Sequence, residues 1–112
     1  MAMAACMLVS TADAAARLTG STPRADAVVK ESPASIRIQF NEVLQAAGAS
    51  GVLKNEAGEV KETGRVSSNA GNPRQLIVPV TGELAPGKYS FAWRVIGRDG
   101  PTNGTLAFEV QP

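Results

Sequence analysis

Polar and apolar residues alternate in three stretches of this chain, at residues 35–40, 89–95 and 106–110. A two-residue period is typical of β-strands that bury one face, so each stretch predicts a strand. Residues 75–80 form a more apolar run, in which Pro79 favours an edge strand or a bulge. The weaker strand candidates are residues 16–21, 51–55 and 59–63.

Turn-forming residues separate the candidate strands, and no ten-residue stretch after residue 14 keeps a helical period. The clearest turn signals are Ala57-Gly58, Asn72-Pro73, Pro86-Gly87 and Asp99-Gly100-Pro101. About seven short strands in one small domain predict an all-β fold, a seven-stranded antiparallel Greek-key β-sandwich of immunoglobulin-like or cupredoxin-like type. The aromatic residues all fall on inward-facing positions and are expected in the core: Phe40, Tyr89, Phe91, Trp93 and Phe108.

The first residues have the layout of a secretory signal peptide. An apolar run at residues 2–9 is followed by small residues and by Ala12-Asp13-Ala14, which fits an A-x-A cleavage signal. We therefore expect residues 1–14 to be removed, with cleavage before Ala15 or Arg17, and residues 15–112 to form the exported domain. No basic residue precedes the apolar run, so we hypothesise a translation start upstream of Met1.

Two other interpretations of the N-terminal segment remain open. It could form a short amphipathic helix, and the residues around Cys6 loosely resemble a lipoprotein processing box. A transmembrane helix is excluded for this run, because spanning a bilayer takes about 20 apolar residues.

Composition argues against several classes of function. The 112 residues carry 11 basic and 10 acidic side chains, a net charge of +1, which gives no electrostatic footprint for nucleic acid or a membrane surface. Without the predicted signal peptide, 11 basic and nine acidic residues give a net charge of +2. The chain has no histidine, and its single cysteine, Cys6, lies in that signal peptide. General-base histidine chemistry, an internal disulfide and a Cys-x-x-Cys pair are therefore excluded, and we predict a protein that is not an enzyme.

Five segments of the chain, taken in order, resemble the CopC family of periplasmic copper-resistance proteins. The resemblance extends over residues 15–110 in the family's order and spacing, and it implies a seven-stranded β-sandwich. The matching segments are LTGSTPRAD at 18–26, IRIQFNE at 36–42, LAPGKY at 84–89, WRVIGRDG at 93–100 and the closing strand at 104–110.

The resemblance also implies a copper site, whose ligands map onto only part of this sequence. The family's Cu(II) site has an N-terminal His, an Asp-Gly-His segment and a nearby Phe-Asn-Glu carboxylate. The corresponding metal-site candidates here are Ala15, Asp99 and Glu42, but Gly100 is followed directly by proline, so the second His is missing. Family members with a Cu(I) site carry a Met-rich loop, whereas residues 52–61 contain no Met.

An amine and two carboxylates make a hard ligand set that suits Cu(II) poorly, because Cu(II) prefers imidazole nitrogen. The third residue counted from Ala15 is Arg17, where tight amino-terminal Cu(II) binding would require His. We therefore predict that high-affinity copper binding is weak or lost, although the resemblance implies copper as the ligand.

Two functions remain open at this point. The first is a periplasmic copper-handling protein, a monomer whose partner is a CopD-like inner-membrane copper transporter or another periplasmic protein. The second is an exported β-sandwich module that binds a protein partner without metal.

The candidate site residues also have purely structural interpretations. Asp99 precedes a glycine in a tight turn, where Asp is favoured by its bonds to the backbone. Glu42 follows a strand and is expected to be solvated or paired with an arginine. We hypothesise that Arg94 and Arg98 neutralise these carboxylates. Asn103-Gly104 is expected to form a turn before the last strand.

Overall fold

The computed structural model describes residues 16–112, apart from the side chain of Ala46, so the predicted signal peptide and Ala15 lie outside the described residues. Within this part the chain forms nine strands and one short 3-10 turn, Ala46–Gly48. No helix of residues 16–112 has the length and apolar character needed to cross a membrane. The strands are β1 (Leu18–Thr22), β2 (Ala27–Val29), β3 (Ser35–Phe40), β4 (Ser50–Asn55), β5 (Val60–Lys61), β6 (Ser67–Asn69), β7 (Asn72–Pro79), β8 (Gly87–Gly97) and β9 (Gly100–Val110).

The strands form two sheets, which confirms the predicted all-β sandwich class. One sheet has the order β1-β3-β7-β6 and the other β2-β9-β8-β4-β5. The described residues contain nine strands where the pattern predicted seven, and the two that were not predicted, β2 and β6, are three residues long. The pairing is antiparallel except between β2 and β9, which run parallel.

The strands β8 and β9 dominate the five-stranded sheet. Each has 11 residues, and they pair along their whole length from Gly87↔Val110 to Gly97↔Gly100. Asn103 and Gly104 lie inside β9, so the turn expected there is wrong. Pro79 is the last residue of β7, which lies between β3 and β6, so an edge strand is also wrong.

The five aromatic side chains are all buried, as predicted, and they fill the space between the sheets. Phe40 and Trp93 meet edge to face, with ring centroids 5.0 Å apart, so the aromatic contact joins the two sheets. Trp93 pairs across β8 and β9 with Gly104, where an added Cβ would overlap the indole ring. The glycine therefore provides the room that this large side chain needs.

Candidate functional site

Residues 41–45 cross one end of the sandwich directly after β3. The Leu44 N–H donates to the Pro73 carbonyl over 3.1 Å, and the Gln45 N–H donates to the Ile96 carbonyl over 2.9 Å. Because Pro73 belongs to the four-stranded sheet and Ile96 to the five-stranded sheet, these bonds tie the loop to both. The backbone of the loop is thereby anchored to the ends of both sheets.

Glu42 is the buried charged residue of residues 16–112, with a side chain only 11% exposed. Its Oε1 accepts a hydrogen bond from the Arg98 backbone N–H at 2.8 Å, and the Arg98 Nε lies 4.0 Å from the same oxygen. A buried carboxylate requires such compensation, since removal from water costs several kcal/mol when a charge is unpaired (roughly 3–5 when one partner is deleted). The predicted pairing of Glu42 with an arginine is therefore present, through Arg98.

The Glu42 carboxyl group packs directly against Gly97. A Cβ added there would lie 3.0 Å from the Glu42 Cδ and 3.2 Å from the Ala16 Cβ, both closer than ordinary contact. Only a glycine lets the carboxyl group and Ala16 approach the strand this closely. Ala16 is itself buried, so the described chain begins beside Glu42.

The segment after Ala16 is joined to the site loop by two further hydrogen bonds. The Arg17 N–H donates to the Asn41 Oδ1 at 2.8 Å, and the Asn41 N–H donates to the Arg17 carbonyl at 3.0 Å. The predicted amino-terminal ligand, Ala15, precedes this anchored segment and lies outside the described residues.

Asp99 occupies a different environment from Glu42. It is the second residue of the two-residue turn between β8 and β9, and it is exposed. The turn closes on Gly100, whose φ of 117° is one that glycine adopts without strain. The structure thus places Asp99 where the turn interpretation expects it, and its role as a metal ligand stays a prediction.

A shallow cleft of about 330 Å³ opens beside Glu42. Asp99 does not line it. Within residues 16–112, no three His, Cys, Asp or Glu side chains form a group that could hold a metal ion. The cleft is lined by Asn41, Glu42, Val43, Arg74 and Arg98.

The positions of two arginines, Arg94 and Arg74, could not be foreseen from the sequence. Arg94, hypothesised to neutralise a carboxylate, is exposed on β8 opposite Ser50 and Asn103, and no ion pair with a carboxylate is found for it in the described part of the chain. Arg74 was not singled out by the sequence, yet it lines the cleft because β7 pairs with β3. No local motif marks such a position, since only the strand pairing brings it to Glu42.

The arrangement of the two sheets agrees with the fold of a solved structure of similar sequence. The profile of the CopC domain matches residues 18–111. The chain belongs to the CopC domain family. This confirms the resemblance that the five sequence segments carry.

Individual proteins are also similar to this chain. The chain is 33% identical to copper resistance protein C of Pseudomonas syringae pv. tomato, over 96% of this chain and 90% of that protein. It is 32% identical to protein YobA of Escherichia coli K12, over 86% of this chain and 78% of that protein. The crystal structure of CopC from Methylosinus trichosporium OB3b matches with a TM-score of 0.80 at 28% identity, covering 88% of this chain and 95% of that one.

Proposed function

We propose that this protein is a periplasmic copper-resistance protein of the CopC type whose own high-affinity copper site is weak or lost, and that it is not an enzyme. Family membership, with a copper resistance protein among the relatives, supports the copper-related role. The observation that carries the weak-binding part is the pairing of Glu42: its Oε1 already accepts the Arg98 N–H and faces the Arg98 guanidinium.

The donor set of the described residues does not fit copper. Residues 15–112 contain no His, Met or Cys, so neither imidazole for Cu(II) nor thioether for Cu(I) is present. Glu42 and the exposed Asp99 offer only hard oxygen ligands, and only Glu42 lines the cleft. A cation that used Glu42 would also have to approach Arg74 and Arg98, whose charges repel it.

The proposed role implies a location outside the cytoplasm and a partner protein. We expect the mature domain, residues 15–112, to be monomeric and to act beside a CopD-like inner-membrane copper transporter or another periplasmic protein. The fold would then serve as a recognition domain, with the copper chemistry carried by its partner.

A Cu(II) titration of untagged residues 15–112 with a native Ala15 terminus tests this proposal. Calorimetry and electron paramagnetic resonance would be read together, with Zn²⁺ and an N-acetylated sample as controls. We expect no binding, or weak binding shared with Zn²⁺. Binding tighter than micromolar that acetylation abolishes would overturn the proposal and would assign a copper site to the amine with Glu42 and Asp99.

A second candidate function is a module that binds a protein without metal. The outer face of the five-stranded sheet favours it, because Val28, Val52 and Val60 are 55%, 42% and 66% exposed and share that face. Contiguous exposed apolar residues mark interaction surfaces, and of these three Val52 and Val60 lie on the adjacent strands β4 and β5. If a protein partner binds this face, replacing Val52 and Val60 with Ser should lower the affinity for that partner. The Cu(II) titration of the same variant should be unchanged.

A further inference from the structure

The cleft beside Glu42 offers more hydrogen-bond donors than acceptors. Arg74 and Arg98 both line it, and the Arg98 side chain is 81% exposed, so most of its guanidinium group faces solvent. The Asn41 side chain uses its oxygen to accept the Arg17 N–H, which leaves its amide nitrogen as a donor. The one acidic group, Glu42, already accepts a bond through Oε1. The lining side chains therefore carry a net charge of +1 and favour an anion.

The two guanidinium groups come from different sheets. Arg74 lies near the start of β7 and Arg98 in the turn after β8, while the loop between them is bonded to both strands through Leu44 and Gln45. Their backbones are thus anchored to different sheets beside one cleft. Only the outer parts of the arginine side chains need to become ordered when a ligand binds, which lowers the entropic cost of binding.

We propose that this cleft binds a carboxylate, with Arg74 and Arg98 as the principal donors. The planar guanidinium group matches the two oxygens of a carboxylate and forms paired, charge-assisted hydrogen bonds with it. The volume, about 330 Å³, accommodates a ligand the size of a short dicarboxylate or an acidic side chain.

This inference deepens the proposed function and rests on it, because it takes Glu42 to be held by Arg98 and not by a metal. The test is carried out without metal, in buffer passed over a chelating resin. A failure here therefore leaves the outcome of the copper titration untouched. Conversely, tight copper binding to Glu42 would be detected only in the copper titration, because the carboxylate test contains no metal.

The experiment is a ¹H–¹⁵N NMR titration of residues 15–112 at low ionic strength. The probes are succinate, the peptide acetyl-Glu-Gly-Glu-amide, and neutral succinamide as a matched control. We expect a carboxylate probe to shift the Arg98 amide signal, because that N–H bonds to Glu42 within the cleft. Added salt should weaken the binding, since the cleft is exposed and its charges are screened.

The source of the carboxylate follows from the same titration. Tighter binding of the peptide indicates an acidic segment of a partner protein, and tighter binding of succinate indicates a small free acid. Either result supports the proposal. Failure of both probes up to tens of millimolar, or equal binding of succinamide, would overturn it.

Variants connect the binding to the two arginines. R74Q and R98Q should each weaken probe binding about three- to fivefold, the scale of an exposed ion pair. R37Q removes the same charge from an exposed position on β3 outside the cleft, so it should leave binding nearly unchanged. Equal weakening by R37Q would mean that net charge alone attracts the probes, and it would reject a specific site.

Discussion

In two regions of this molecule a large side chain lies directly over a glycine, and the two contacts differ in kind. In the core, the Trp93 indole covers Gly104, while at the end of the sandwich the Glu42 carboxyl group covers Gly97. The first contact lies in the core, where Trp93 is 7% exposed and meets Phe40 edge to face. The second contains a charge and opens onto a cleft.

This difference indicates that the packing of the core and the charge balance of the site depend on different contacts. Apolar burial stabilises the sandwich by roughly 25 cal/mol per Å² whatever the site contains. The buried carboxylate contributes only as long as its partners compensate for its loss of water. A chain can therefore retain the family's core while the residues around Glu42 change, provided that Arg98 satisfies the charge.

The largest change in the free energy of unfolding is expected when a methyl group is added at the contact between Trp93 and Gly104. Gly104→Ala should destabilise the domain by about 3 kcal/mol, because the new Cβ overlaps the indole ring, which packs against Phe40. Urea unfolding followed by the fluorescence of Trp93, the single tryptophan, measures this directly.

The matched control for this variant is Gly82→Ala. No atom lies within 4 Å of a Cβ added at Gly82, so stability should stay within about 0.5 kcal/mol. If Gly104→Ala proved as harmless as Gly82→Ala, the interior around Trp93 would be loosely packed and the contrast between the two regions would fail.

A smaller change in the free energy of unfolding is expected at the contact between Glu42 and Gly97. Gly97→Ala should cost about 1 kcal/mol, because the Glu42 carboxyl group can turn toward the cleft when the new Cβ arrives at 3.0 Å. The same substitution in a Glu42→Ala background should cost less, with a coupling energy of about 0.5 kcal/mol or more. Strictly additive losses in this double-mutant cycle would show that Ala16, and not Glu42, opposes the added methyl group.

The sequence predicts the core better than the site, for a physical reason. Alternation along one strand reports which side chains turn inward, so β3 and the five buried aromatic residues followed from local pattern alone. Strands β2 and β6, of three residues each, were missed.

The site depends on contacts between segments that are distant in the sequence. The family resemblance indicated Glu42 and Asp99 as members of one metal site, yet Glu42 is buried and Asp99 is exposed in the turn. Arg74 reaches the cleft only through the pairing of β7 with β3, which no short motif encodes. The predicted contribution of Ala15 lies outside the described residues and stays a prediction.

The smallest change in the free energy of unfolding is expected from the two arginines, Arg94 and Arg98, that were both hypothesised to neutralise a carboxylate. Arg98→Gln should cost about 0.5 kcal/mol, since the guanidinium is mostly exposed and lies 4.0 Å from Glu42. The loss stays small because the backbone N–H of residue 98 still donates to the carboxylate.

Arg94→Gln is the matched control and should leave the free energy of unfolding unchanged, because Arg94 is exposed on β8 opposite Ser50. High salt should reduce the difference between the two variants by screening the Arg98 contact. A greater loss from Arg94→Gln than from Arg98→Gln would mean that the charge of Glu42 is balanced from the outer face of the sheet, and that the site end is organised differently from the contact described above.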